Sequence, residues 1–323
     1  MSKPRIIVTR RWPEAVEKIL VEKFDAVLNE TDEPMDSKAL QAAMRDCDAL
    51  CPTVSDKISP DIINCDGRKA KMLANFGVGF NHIDIHAAKN SGVVVSNTPH
   101  VLTDCTADLA LTLMLMIARR AGEGERHVRE QAWSGWRPTH MMGTKITGKT
   151  LGLIGFGRIA QATARKAHFG FGMKIFFYDP YPPAANVINE LGATSCDSVE
   201  DVLAQTDFVS LHCPGGDATH HLMNSERLKA MQSHAYLINT ARGDVIDQTA
   251  LIEALKTNQI AGAGLDVYEG EPAVPEELLG LDNVVLLPHL GSATTDTRVA
   301  MGMRVIENLD AFFNGKAPPD QVV

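Results

Sequence analysis

Lys149-Thr150-Leu151-Gly152-Leu153-Ile154-Gly155-Phe156-Gly157-Arg158-Ile159-Ala160 is the stretch that decides the fold, together with Asp179, nineteen positions past its end. Apolar Leu151 to Ile154 reads as a strand. It runs into a glycine turn and then a helix over about Arg158 to His168, and Lys174 to Tyr178 is a second strand ending at Asp179. Strand, turn, helix and strand with an acid about 20 residues on make the βαβ unit that takes a dinucleotide. Gly155 permits the tight turn, and Gly157 lets the backbone approach a pyrophosphate seated on the helix N-terminus. Ala160 stands where a third glycine is usual, a position that needs only close helix–strand packing. The G-x-G-x-x-A pattern alone is weak, and its flanking elements supply the specificity.

Around this unit the chain has 323 residues, enough for about two domains of roughly 100–200 residues each. Its 45% hydrophobic and 22% charged residues describe a globular protein with material for real cores. A net charge of −9 and the lack of any basic run argue against a nucleic-acid partner. The longest apolar run, Leu109 to Ala118, is short of the roughly 20 residues that span a bilayer, so no membrane partner is expected. It reads as a helix buried on all sides, with Thr103 or Asp104 as its cap. The N-terminus lacks the apolar core of a signal peptide, and the six cysteines (47, 51, 65, 105, 196, 213) form no C-x-x-C and no His-paired metal spacing. A cytoplasmic protein with free thiols and no metal is the expectation.

Strands at Arg5 to Thr9, Ala26 to Leu28, Ala49 to Cys51, Lys71 to Ala74 and Val93 to Ser96 alternate with helical spacing, which makes the first hundred residues a doubly wound domain. After its fourth strand, Asn75-Phe76-Gly77-Val78-Gly79 reads either as a plain turn or as a nest of backbone N–H groups able to hold a carboxylate. The second domain continues through strands at Asp207 to Leu211, Ala235 to Asn239, Ala261 to Val267 and Val284 to Leu287, each ending in a polar cluster. Ligands gather at such ends in open α/β sheets. The fold class expected is therefore α/β, with two doubly wound parallel-sheet (Rossmann-like) domains. Residues 98–291 form the nucleotide domain, inserted into a discontinuous substrate domain of residues 1–97 and 292–323. The arm Ala121 to Met142, carrying Trp133 and Trp136, reads as an intersubunit surface.

Asp179 would accept hydrogen bonds from a ribose 2′-hydroxyl and repel a 2′-phosphate, and Pro180 to Asn189 holds no basic residue, so NAD(H) is expected over NADP(H). A nicotinamide makes hydride transfer the default reaction. Arg242 can clamp a carboxylate or carbonyl oxygen, and His289 can donate a proton with Glu271 on its other nitrogen. Taken singly, each could be merely structural: an ion pair at Arg242, a surface acid at Glu271, a strand-end histidine at His289.

Several further stretches occur in order: Phe76-Gly77-Val78-Gly79, Asn97-Thr98-Pro99, Thr103 to Ala110, Gly148 to Gly152, Asn239-Thr240-Ala241-Arg242-Gly243, Ala263 to Val267 and Pro288 to Thr294. With them the chain resembles the D-isomer-specific 2-hydroxyacid dehydrogenases, in their glyoxylate/hydroxypyruvate reductase branch. The resemblance implies that Arg242, Glu271 and His289 are the catalytic set, with His289 the proton donor. It implies that the Val78 and Gly79 amides, with Arg242, bind the substrate. It also implies that Thr106, Gly155, Gly157, Arg158, Ile159, Asp179, Pro214, Thr240, Arg242, Asp266 and His289 line the cofactor. The implied substrate is a small 2-oxo acid reduced by NADH, and the implied assembly a homodimer through the arm, where an aromatic can reach the partner's active site. D-lactate or D-3-phosphoglycerate oxidation on the same scaffold is the nearest alternative, and a dinucleotide-sensing scaffold a more distant one. The chain departs from the family pattern at Gly215-Gly216-Asp217-Ala218, at Ala160 and at His100.

Overall fold

The computed structural model describes residues 3–323. They divide into two compact units. One comprises the described residues up to Leu102 together with Ala293–Val323, and the other is Thr103–Ser292.

The first unit holds strands β1 (Arg5–Val8), β2 (Asp25–Val27), β3 (Ala49–Cys51), β4 (Met72–Ala74) and β5 (Val94–Ser96). All pair in parallel, in the order β2-β1-β3-β4-β5. β3 and β4 are buried throughout, as expected of strands covered on both faces. Helix Thr295–Phe313 belongs to this unit and lies on helix Glu14–Lys23 so closely that a Cβ at Gly302 would stand 2.6 Å from Val16 Cγ1. The C-terminal tail returns to β5, where Val322 N donates to Val95 O at 2.7 Å. Asp320 locks the tail by accepting both Arg304 Nε at 2.6 Å and Arg304 Nη2 at 2.8 Å, a bidentate pair of the strong kind.

The second unit holds β6 (Thr150–Ile154), β7 (Lys174–Tyr178), β8 (Ala193–Ser195), β9 (Phe208–Leu211), β10 (Tyr236–Asn239), β11 (Gly262–Leu265) and β12 (Val284–Leu286). They form one parallel sheet in the order β12-β11-β10-β9-β6-β7-β8. The order reverses between β6 and β9, which is where open α/β sheets bind ligands beyond their strand ends. The expected α/β architecture of parallel sheets flanked by helices is thus the observed one. β8 was not expected: its three residues, Ala193-Thr194-Ser195, lie half-buried or exposed at the sheet edge and carry no apolar alternation.

Two helices pack tightly in this unit. Helix Arg158–Phe171 buries Ala160, Thr163, Ala164 and Ala167, and small residues at that spacing let helix Thr103–Ala118 approach. Ala160 is wholly buried in a core with Leu153 and Phe156, so an alanine satisfies the packing of the third motif position. Helix Thr103–Ala118 differs from expectation in two ways. Thr103 and Asp104 lie inside its first turn rather than capping it, and Asp104 and Asp108 pair with Lys166 at 3.1 and 2.9 Å. It is also not buried all round, because Asp104, Asp108, Thr112 and Leu115 form an exposed stripe. An apolar run predicts burial only where neighbours cover it.

The sheet is stitched at its lower end by Asp207. Its carboxylate accepts Thr150 N at 2.9 Å, Thr150 Oγ1 at 2.7 Å and Lys149 Nζ at 3.0 Å, tying the start of β6 to β9. Burial alone would raise this carboxyl, but the bonds from Thr150 and Lys149 outweigh it and bring it down to about 2. No helix among the described residues is long and apolar enough to cross a membrane.

Candidate active site and its relatives

In the second unit, the side chains singled out from sequence follow the carboxyl ends of successive strands. After β6, Gly155 takes φ +84°, and a Cβ there would meet Cys213 N at 2.8 Å and the carbonyl carbon of His212 at 2.9 Å. Only glycine fits both constraints. Helix Arg158–Phe171 then starts at Gly157 with no side-chain cap, and nothing lies within 4 Å of where a Cβ at Gly157 would be. Uncapped N–H groups and the positive end of the helix therefore face open space, a ready anion site. Asp179, after β7, accepts Phe156 N at 2.6 Å and Tyr181 N at 2.8 Å, so its carboxylate is held beside the turn by the turn's own backbone. Arg158 is exposed and Ile159 half-buried next to it.

After β9 come Cys213 and exposed Pro214, and then the glycines that depart from the family pattern. Gly215 has a physical reason to be glycine: a Cβ would stand 2.8 Å from Arg242 Cγ and 2.9 Å from Asp244 Oδ1. The loop lies against the stem of Arg242.

Arg242 follows β10 in a turn set by Asn239, a fully buried residue that the sequence reading did not single out. Asn239 Oδ1 accepts Ala241 N at 2.9 Å and its Nδ2 donates to Arg242 O at 2.8 Å. Arg242 Nη1 donates to Ala241 O at 2.6 Å. Burial lowers the guanidinium's pKa, and the charges of Glu271 and Asp244 oppose that. An arginine starts so high that it stays charged. Thr240 Oγ1 and Asp244 Oδ1 are buried without a hydrogen-bond partner in the chain. Buried polar atoms of that kind ask for one.

After β11 and β12 the chain builds an acid–imidazole pair. Glu271 Oε2 lies 2.8 Å from His289 Nδ1, and Glu271 Oε1 accepts Tyr268 N at 2.9 Å. Burial would raise the Glu271 carboxyl, but the bond and charge of His289, the Tyr268 amide and Arg242 together hold it below its ordinary value. It is a carboxylate at neutral pH, and it orients the ring with Nδ1–H toward itself and Nε2 as the ring's other polar atom. His289 sits at φ +55°, an uncommon backbone for a non-glycine residue. Asp266 sustains it: His289 N donates to Asp266 O at 2.9 Å, and the Asp266 carboxylate accepts Leu290 N at 2.6 Å and Gly291 N at 2.8 Å. Thr106 Oγ1 adds a bond to Gly291 O at 2.9 Å. In this chain Asp266 and Thr106 visibly brace the histidine turn, a task that sequence position did not indicate.

In the first unit, Val78 and Gly79 follow β4. Buried Asn75 donates through Nδ2 to Gly77 O and Gly79 O, both at 3.0 Å, while Asn97 Nδ2 donates to Val78 O at 2.8 Å. A trans peptide sets each N–H opposite its C=O. Capturing three successive carbonyls therefore turns the amides of Val78, Gly79 and Phe80 away from the asparagines. His82 Nε2 lies 3.0 Å from Asn75 Oδ1 and fixes the side-chain amide's orientation. The loop's carbonyls are thus held by Asn75 and Asn97, with His82 behind Asn75, three side chains not singled out from sequence.

Residues 111–291 match the family described as "D-isomer specific 2-hydroxyacid dehydrogenase, NAD binding domain". A glyoxylate reductase of Thermococcus litoralis is 44% identical over 99% of this chain and 97% of its own. The chain belongs to the D-isomer-specific 2-hydroxyacid dehydrogenase family. A glycerate dehydrogenase of Hyphomicrobium methylovorum, 36% identical over 98% of each chain, is a second member to which it is similar. Among solved structures, an NADPH-dependent glyoxylate/hydroxypyruvate reductase of Sinorhizobium meliloti, in complex with NADP and malonate, superposes with a TM-score of 0.88. It is 35% identical, over all of this chain and 97% of that one. As a D-2-hydroxyacid dehydrogenase the chain is an oxidoreductase that takes a nicotinamide dinucleotide. Its residues fit that group: a glycine-only turn, an uncapped helix N-terminus, and the unpartnered Thr240 Oγ1 and Asp244 Oδ1.

Proposed function

We propose that the protein reduces a small 2-oxo acid, glyoxylate or hydroxypyruvate, with NADH as the preferred donor. The observation that carries this reading is the 2.8 Å contact of Glu271 with His289 Nδ1, which leaves Nε2 to deliver a proton. The bound nicotinamide supplies the hydride. His289 protonates the alkoxide as it forms, and Glu271 keeps the imidazolium oriented and stabilised. Arg242 polarises the carbonyl or binds the carboxylate through its planar fork, and the Val78 and Gly79 amides hold the substrate's carboxylate. Gly155, Gly157, Arg158, Ile159, Asp179, Pro214 and Thr240 are the proposed cofactor contacts, with Thr106 and Asp266 acting on that side through the His289 turn. The first test is consumption of NADH with glyoxylate, hydroxypyruvate and pyruvate. Turnover with none of them would remove the reading.

The choice of NADH rests on Asp179, whose oxygens, each already accepting one amide, keep acceptor capacity for ribose hydroxyls. A dianionic 2′-phosphate a few ångströms from this carboxylate costs about 2 kcal/mol even at water's dielectric constant. We expect kcat/KM with NADH to exceed that with NADPH at least about tenfold, and Asp179→Ala to narrow the gap. A preference for NADPH in the unaltered protein overturns the assignment.

The dimer is also a proposal. Helix Ala121–Arg129 opens the arm and carries exposed Val128, and the residues after it carry exposed apolar side chains: Trp133 is 54%, Trp136 83% and Met142 67% exposed. Aromatic and methionine side chains left open in such numbers suit an interface. Light scattering should read twice the 35.1 kDa chain mass, and a monomer would exclude the arm from this role.

A further inference from the structure

We propose that His220, His221 and Glu269 form a binding site for a divalent transition-metal ion such as Zn²⁺. The histidines lie in the loop after β9 and the glutamate in the segment after β11, so the sheet brings together residues 48 positions apart. His221 Nε2 is 3.0 Å from Glu269 Oε1 and His220 Nε2 is 4.0 Å from the same oxygen. One ligand atom from each residue lies within 4.8 Å of the other two.

The spacing suits a metal. Donors bound at about 2.1 Å around a tetrahedral or octahedral ion stand roughly 3.0–3.4 Å apart. The His221–Glu269 pair is already at that separation. His220 Nε2, 4.0 Å from Glu269 Oε1 on a side chain 53% exposed, would close by about 1 Å on binding. Two imidazoles and a carboxylate select zinc, nickel or copper over magnesium or calcium, which prefer all-oxygen shells.

The backbone supports the arrangement. His221 adopts φ +49°, and its N–H is tied to Asp244 O at 2.8 Å, so its ring is presented from a fixed, uncommon conformation. Both Nε2 atoms lie within 4.0 Å of Glu269 Oε1, on one side of the histidine pair, whose rings stand 3.9 Å apart between centroids. Partial exposure of all three side chains gives an ion access from solvent and leaves coordination positions for water. The inference is independent of the proposed reaction, because binding is read without turnover.

The test is calorimetric titration of Zn²⁺ into the untagged, EDTA-treated full chain in a non-coordinating buffer near neutral pH. One ion per chain is expected. His220→Ala and Glu269→Gln should each weaken binding at least about tenfold, the lower end of what even outer-shell partners of a metal contribute. Their circular dichroism and thermal midpoints should match the parent, since both side chains are partly exposed. No binding by the parent overturns the site. So does parent-like affinity in either variant, which would place the ion elsewhere.

Discussion

His289→Gln is expected to lower kcat by at least about 100-fold, the lower end of what a positioned general acid contributes, while NADH affinity stays within a few-fold of the parent. Glutamine fills most of the imidazole's volume and can still donate to Glu271, but it carries no proton that it can surrender near neutral pH. The turn should survive the change. Leu290 N and Gly291 N remain bound by the Asp266 carboxylate, and Thr106 still holds Gly291 O. The proposed cofactor cradle at Gly155, Gly157 and Asp179 lies on other strand ends, so binding and chemistry separate in this one variant. Stopped-flow NADH binding and steady-state turnover together read the result. A variant that keeps more than about a tenth of the parent kcat removes His289 as the proton donor.

Arg242→Lys is expected to lower kcat/KM for the 2-oxo acid by roughly 100-fold, the scale of losing one preorganised electrostatic contact to the reacting group. Three consequences of the structure add together. The Nη1 bond to Ala241 O disappears, and with it the anchor that aims the group. The planar fork becomes a point charge that cannot contact a carboxylate in bidentate fashion. Burial, which already lowers the arginine's pKa, acts on an ammonium that starts about two units or more below it. Asn239 still holds the turn through backbone atoms of residues 241 and 242, so loss of fold is not the expected cause. Kinetics like those of the parent would refute the clamp.

Much of this site was legible because its requirements are local. A strand that must end in φ +84° against another strand's backbone requires Gly155, and that need is written at one position. Residues just after strands are recognisable once strands alternate with helices, which is how Arg242 and His289 came forward. Glu271 stood out as an acid before Pro272 able to meet the imidazole, and the three became a catalytic set through the family resemblance. What escaped were the residues that hold them. Asn239 reads as a strand-end polar residue, and Asn75 as part of a glycine-rich turn. Asp266 was noticed only as a neighbour of the cofactor, whereas its bonds reach 24 and 25 residues ahead. The metal candidate was invisible for the same reason: no spacing rule joins a His-His pair to a glutamate 48 residues away.

The helix Thr103–Ala118 and strand β8 mark the limit on the fold side. Apolar content announced the helix but not its exposed stripe at Asp104, Asp108, Thr112 and Leu115, because exposure depends on which neighbours arrive. β8 has no pattern of its own and exists by pairing with β7 through Ile175–Ala193, Phe176–Thr194 and Phe177–Ser195.

By itself, then, the sequence determined the two parallel-sheet halves and the dinucleotide turn at Gly155, since backbone sterics and strand–helix periodicity act over a few residues, and its ordered motifs carried the resemblance to the family. The tertiary structure alone decided which remote side chains steady which: Glu271 on His289, Asn97 on the Val78 carbonyl, Asp266 on the Leu290 and Gly291 amides. Those bonds join loops that meet only when the strands pair in register. Hydrogen bonds reach about 3 Å, and nothing in the spacing of residues along a chain specifies distances that short between its remote parts.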